Sequence, residues 1–167
     1  MSNIHIRKGT THDVERVHQL LLESAVHHNY PPEAVKTTPE QMRNDAFGER
    51  PAFSFFVAET ETQDVVGAAI FYYTYSTWQG KTLYLEDIIV SRSQRGKGIG
   101  EQLFEVLAQE AVEHSAQRMS WQVAEDNDVG IGFYEKMNAQ FDNQWMNCKL
   151  TRPQLKALAD NAEAVAI

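Results

Sequence analysis

The chain holds a single cysteine, Cys148, among its 167 residues, so no disulfide can form within it. With no CxxC pair, that cysteine does not open a structural zinc site and reads as an ordinary strand residue. The sequence has no apolar run of the roughly 18 residues that span a bilayer, and its start, MSNIHIRKGTTHDV, lacks the apolar stretch of a signal peptide. A cytoplasmic protein without a membrane role is therefore expected. Basic residues are outnumbered, 15 Lys and Arg against 23 Asp and Glu, for a net charge of −8 and a pI near 5.2. That balance argues against nucleic acid, whose phosphates need a basic face, and favours encounter with a cationic substrate. The 6 histidines include the pair His27-His28 but no HExxH spacing, so no metal is expected. What is present, 43% hydrophobic and 23% charged residues, is globular composition at a length suited to one domain over 1–167 with one core.

The most informative stretch runs from Leu83 to Val112. Thr82 to Val90 is rich in large apolar and β-branched residues and reads as a buried strand. Arg95-Gly96-Lys97-Gly98-Ile99-Gly100 follows, and from Ile99 apolar residues recur at helical spacing through Leu103, Leu107 and Ala111. The order is strand, glycine-rich turn, helix. The first turn of a helix leaves backbone N–H groups unpaired and carries partial positive charge, so an anion is favoured there. The glycines let a phosphate approach the main chain, and Arg95 and Lys97 add full charges. On spacing alone, an ordinary tight turn with two exposed cations is an equal reading. The Walker spacing is absent, and the dinucleotide fingerprint fails because Glu101 stands where its third glycine belongs.

Taken in order, Ile4 to Lys8 alternates as an edge or near-edge strand. Thr10 to Asp13 is a capping box opening a helix with Val14, Val17, Leu21 and Ala25 on one stripe, stopped by Asn29-Tyr30-Pro31-Pro32. Thr38-Pro39-Glu40-Gln41 starts a second helix that Gly48 ends. Phe53–Glu59, Val65–Tyr75 and Thr82–Val90 predict an antiparallel meander. The helix from Ile99 then crosses to a strand over Arg118–Ala124, parallel to Thr82–Val90. Asp126-Asn127-Asp128 caps a short helix through Met137, with Asn138 suited to a left-handed end. Gln144–Leu150 reads as a last strand and Thr151–Ala159 as a last helix.

Arg95 to Gly100 fits Arg-x-x-Gly-x-Gly and resembles the pyrophosphate loop of the GNAT acetyltransferase superfamily. Tyr75 to Asp87, YSTWQGKTLYLED, and Phe133-Tyr134-Glu135-Lys136 extend the resemblance over most of the chain, to the diamine (spermidine/spermine) and thialysine N-acetyltransferases. It implies a mixed α/β fold whose mostly antiparallel sheet splays between two central parallel strands, here Thr82–Val90 and Arg118–Ala124. It implies acetyl-CoA as co-substrate, with the pantetheine arm on the main chain of Ile88, Ile89 and Val90, the pyrophosphate on Arg95, Gly96, Lys97, Gly98, Ile99 and Gly100, and a further contact at Asn127. A homodimer is also implied.

By periodicity Phe133 and Tyr134 read as core packing. The resemblance instead gives Tyr134 a place beside the cofactor as the donor that protonates the departing thiolate. Acetylation needs a neutral amine, and a lysine-like amine is neutral to only about one part in 2,500 at pH 7, a cost of about 4.6 kcal/mol. A base or water chain is required, and Glu86 and Asp87 are the candidates. Strand neighbours face opposite ways, so only one is expected to face the cleft. The resemblance favours Glu86 as the contact to the amine, with Asp87 structural or supporting it. For the substrate, the family's acidic position after the first helix falls at His28 or Asn29, and Trp78 is a candidate for stacking on the substrate or for plain packing. The expected activity is acetyl transfer to a primary amine of a small diamine, polyamine or lysine-like molecule by direct attack. Protein or aminoglycoside acetylation, and a silent acyl-CoA-binding module, are the alternatives.

Overall fold

The computed structural model describes residues 3–163, which form two compact units divided between Gln122 and Val123. The first unit is built on a sheet of five strands in the order β1-β2-β3-β4-β5. These are β1 (Ile4–Lys8), β2 (Ser54–Thr60), β3 (Val65–Ser76), β4 (Gly80–Val90) and β5 (Arg118–Ser120). β1 to β4 pair antiparallel in sequence order and β5 pairs parallel to β4, as the lengths of the connections predict. Three helices, α1 (Val14–His27), α2 (Pro39–Phe47) and α3 (Ile99–Glu113), complete the unit.

The continuous apolar runs of β2 and β3 follow from cover on both sheet faces, where alternation between apolar and polar is not required. One core gathers Val14, Val17 and Leu20 of α1 and Met42 and Ala46 of α2 with Phe55, Val57, Ala68, Ile70 and Ile89. The other sets Ile99, Leu103, Leu107 and Ala111 of α3 against Phe56, Ala69, Phe71, Leu83 and Leu85. The apolar stripe read from α3 is thus its buried face. Both helix starts on the first face are fixed by reciprocal caps. Gln41 N–H donates to Thr38 Oγ1 at 3.2 Å while Thr38 N–H donates to Gln41 Oε1 at 2.9 Å. Asp13 accepts from Thr10 and, across to the edge strand, from both terminal guanidinium nitrogens of Arg7 at 2.8 and 2.9 Å. Those bonds hold the Asp13 carboxyl down to about 2.

Two expectations about strands are corrected. β5 ends at Ser120 instead of Ala124, and pairs with β4 only from Thr82 to Tyr84. Beyond that point Leu85 to Val90 have no strand partner on the β5 side among the described residues. Gln144–Leu150 is not a strand. The segment is exposed throughout, Cys148 included, and a strand-like sequence yields a strand only where a neighbouring strand satisfies its backbone. The second unit contains α4 (Asp128–Lys136) and α5 (Arg152–Glu163). α4 begins at Asn127, whose Oδ1 accepts from Gly130 N–H at 3.0 Å, and it ends with Asn138 at φ 56°, the left-handed stop read from the sequence. Among the described residues no helix is long and apolar enough to cross a membrane.

Candidate active site

Irregular pairing between β3 and β4 determines which side chains reach the cleft. The register runs Ile70 with Asp87 and then Phe71 with Leu85, so Glu86 is an extra residue on β4, a bulge. A bulge reverses the alternation of faces beyond it. Leu83 and Leu85 point to the α3 core, and after the bulge Ile88 packs on that same side while Ile89 joins the α1–α2 core. Glu86 and Asp87 consequently share the α1–α2 face. The expectation that only one of them faces the cleft is corrected on this ground, since both line one cavity of about 720 Å³.

That cavity lies against the sheet beneath α1 and the Pro31–Thr37 segment. Its walls include Leu21, Ala25, Val35, Met42, Phe53 and Ile70, and its polar groups are Ser24, His28, Tyr30, Lys36, Thr37, Tyr72, Glu86 and Asp87. A mostly apolar cavity of this size with a few convergent polar groups is the usual form of a small-molecule site. Glu86 is exposed to the cavity and Asp87 is half-buried. Burial first, and the neighbouring Glu86 charge second, push the Asp87 carboxyl up to about 6, against a downward pull from His28. Burial and Glu86 also raise the phenol of Tyr72.

His28 is in the wall, whereas Asn29 and Trp78 are not. Asn29 takes φ 60° and its N–H bonds the Val26 carbonyl, so it serves as the stop of α1. Trp78 sits in the β3–β4 turn and is 84% exposed. Sequence reading missed Tyr72 and Lys36. The two-residue periodicity of β3 was available for Tyr72, but the pairing that sets it beside Glu86 was not, and no sequence signal places Lys36 in a wall.

The glycine-rich turn follows the C-terminal end of the same strand, just beyond Val90. Ser91 N–H donates to Val66 O at 2.8 Å. Hydrogen-bonded pairs alternate along an antiparallel ladder, so Ile89 spends its main-chain groups on β3 while Ile88 and Val90 turn theirs to the edge that β5 leaves open. Gly96 and Gly98 both lie in the left-handed region, at φ 74° and 78°, and Gly98 caps α3. A Cβ on Gly96 would meet nothing within 4 Å, and one on Gly98 only Glu101 Oε2 at 4.0 Å. Open space faces the first turn of α3, where the N–H groups of Ile99 and Gly100 have no intrahelical acceptor. Arg95 donates from Nε to Val90 O at 3.0 Å and from Nη1 to His27 Nε2 at 2.9 Å, and Lys97 Nζ donates to Gln94 Oε1 at 2.7 Å. The Arg95 charge lowers the pKa of His27, which keeps that ring an acceptor. Glycines with room above them, a helix N-terminus and two cations fit a pyrophosphate.

In the second unit, Tyr134 is 7% exposed, with its ring edge-on to Phe133 at 5.2 Å between centroids. Asn127 spends its side-chain oxygen on the cap of α4.

Comparison with known proteins agrees with this geometry. Residues 14–139 match the model of the "Acetyltransferase (GNAT) family". The chain is 33% identical over 147 residues to the thialysine N-epsilon-acetyltransferase of Bos taurus, covering 84% of this chain and 86% of that one. It is 30% identical over 168 residues to a human spermidine/spermine N(1)-acetyltransferase-like protein 1, covering 95% of this chain and 24% of that longer one. An integron cassette protein of V. cholerae superposes with a TM-score of 0.77 at 24% identity over 95% of this chain and 98% of its own, a likeness of fold. From its bulged β4, its glycine-rich helix start and the match that runs from α1 through α4, the chain belongs to the GNAT family of acetyl-CoA-dependent acetyltransferases.

Proposed function

We propose that this enzyme acetylates the primary amine of a small diamine, polyamine or lysine-like acceptor by direct attack while both substrates are bound. The observation that carries this reading is the bulge at Glu86, which aims two carboxylates into one apolar-walled cavity. An acidic pair in such a cavity attracts a cationic amine. The names of the relatives, a thialysine N-epsilon-acetyltransferase and a spermidine/spermine N(1)-acetyltransferase-like protein, support an acceptor of this size. The family match also runs across the division between the two units, which supports one catalytic domain.

Acetyl-CoA supplies the activated acetyl thioester. Arg95 to Gly100 would hold its pyrophosphate, and the open main chain of Ile88, with the N–H of Val90, would pair with its arm. Glu86, the more exposed carboxylate, receives the ammonium and passes its proton toward water. Asp87 holds a second negative charge behind it once deprotonated. Tyr134 is assigned the proton that the departing sulfur needs; a phenol of reference pKa near 10 can serve a thiolate whose acid lies near 8.5 when hydrogen bonding draws the transfer forward.

The test is release of free thiol from acetyl-CoA in the presence of polyamines, lysine-like amino acids, aminoglycosides or histone-like peptides. Turnover confined to aminoglycosides or peptides would overturn the small-amine reading. Acetyl-CoA binding without turnover on any amine would make the protein a silent binder.

A pH dependence follows from Asp87. Its folded pKa, about 6, is raised, so it carries its charge only above that pH. The profile of kcat/KM should therefore rise with pH through about 6, and Asp87→Asn should remove that limb. The same shift means that the folded protein holds more protons than the unfolded chain between the ordinary carboxylate range and pH 6. Stability therefore falls as pH rises across that interval, and the Asn variant should lose this slope as well.

A further inference from the structure

Arg95 is tied down by two acceptors that carry no charge. Its Nε donates to Val90 O of β4 at 3.0 Å, and its Nη1 to His27 Nε2, at the end of α1, at 2.9 Å. Both mounts are rigid. Val14, Val17 and Leu20 root α1 in the core, and β4 pairs with β3 as far as Val90. The Arg95 charge first, then burial and the charges of His28 and Arg92, lower the pKa of His27 below the ordinary histidine value, so at neutral pH the ring is an uncharged imidazole. Since Nε2 accepts, the ring proton sits on Nδ1. No ion pair among the described residues includes Arg95. Lys97 follows the same rule, for its partner is the carboxamide of Gln94.

A carboxylate in the place of His27 would orient the guanidinium equally well and cancel its charge. A neutral acceptor orients it and leaves the charge whole. A guanidinium has five N–H donors, and those not spent on Val90 O and His27 stay available on Nη1 and Nη2. A free arginine gives up rotamer freedom when it closes on a ligand, whereas a tethered one has already given it up. We propose that His27 is a positioning residue of the cofactor site, a neutral acceptor that holds the Arg95 guanidinium in place for the pyrophosphate of acetyl-CoA without neutralising it. This rests on the reading of the glycine-rich turn as the pyrophosphate site and adds to it a residue 68 positions away in the chain. His27 acts through Arg95 and takes no part in acetyl transfer.

The experiment is calorimetry with acetyl-CoA on single variants of His27 and Arg95 and on the double variant. His27→Ala should weaken binding roughly three- to tenfold, the size of one lost hydrogen bond. His27→Gln, whose neutral carboxamide oxygen has about the reach of Nε2, should restore affinity to within about twofold of wild type. His27→Glu keeps an acceptor but adds a negative charge, and should bind more weakly than the Ala variant. Arg95→Ala should lose about tenfold or more, and adding His27→Ala to it should cost nothing further, because residues that act as one unit are not additive. The binding stoichiometry reports the folded fraction, so partial unfolding does not pass for weak affinity. Unchanged affinity in His27→Ala, no rescue by Gln, a Glu variant equal to the Gln one, or the same loss with and without Arg95 overturns the role of His27. In each of those cases an Arg95→Ala variant that still binds weakly leaves the pyrophosphate reading in place. An Arg95→Ala variant that binds as wild type removes Arg95 from the pyrophosphate site and this proposal with it.

Discussion

Tyr134→Phe is expected to lower kcat by about 10²–10⁴, the range spanned by a positioned proton donor. The substitution removes one oxygen from a side chain that is 7% exposed and keeps the ring that meets Phe133 edge-on. Packing and the helical turn around it should therefore survive, and thermal stability should shift little. Affinity for acetyl-CoA, measured by calorimetry, should stay close to wild type, since the ring and its contact with Phe133 are kept. The measurement must be made where chemistry limits, with pre-steady-state thiol release separating that step from product release. A Phe variant with wild-type turnover under those conditions would reduce the phenol to a buried packing group.

Gly98→Val should weaken acetyl-CoA binding by roughly 10- to 100-fold, the second of the large effects. Its source is geometric. A Cβ at Gly98 projects into space whose nearest protein atom is 4.0 Å away, the volume a phosphate would use to reach the N–H groups of α3, and each such contact is worth about 0.3–2 kcal/mol. The left-handed φ of 78° adds a backbone penalty of about 1–2 kcal/mol for a residue with a Cβ. Gly98→Ala carries much of that penalty with far less bulk. Comparing the two by calorimetry and thermal melting therefore separates the local strain from obstruction of the anion. Equal affinities for Val, Ala and wild type would remove the turn from the cofactor site.

The bulge explains why the site was only partly legible in the sequence. Glu86 and Asp87 were identifiable as acids on a strand, but a regular strand sends neighbours to opposite faces. The departure from that rule is a property of how β4 pairs with β3, and no single strand encodes its partner's register. Lys36 is a comparable case, since a lysine in a proline-flanked segment carries no local mark of the cavity it borders. The unrealised strand at Gln144–Leu150 is the converse, a segment read as a strand for which the described residues provide no ladder.

What the sequence determined by itself were the features governed by chemistry within a few residues. The reciprocal cap of Thr38 and Gln41, the buried stripe of α3, the left-handed Asn138 and the glycine-rich helix start are of this kind. The crossover from α3 to a parallel strand belongs with them, because chain length and handedness restrict such connections. Tertiary structure alone decided where β5 parts from β4, which of Ile88, Ile89 and Val90 turn their main chain to the opening, and that two adjacent carboxylates share one cavity. These depend on the register between segments far apart in the chain, and register is fixed by the packing of both sheet faces together.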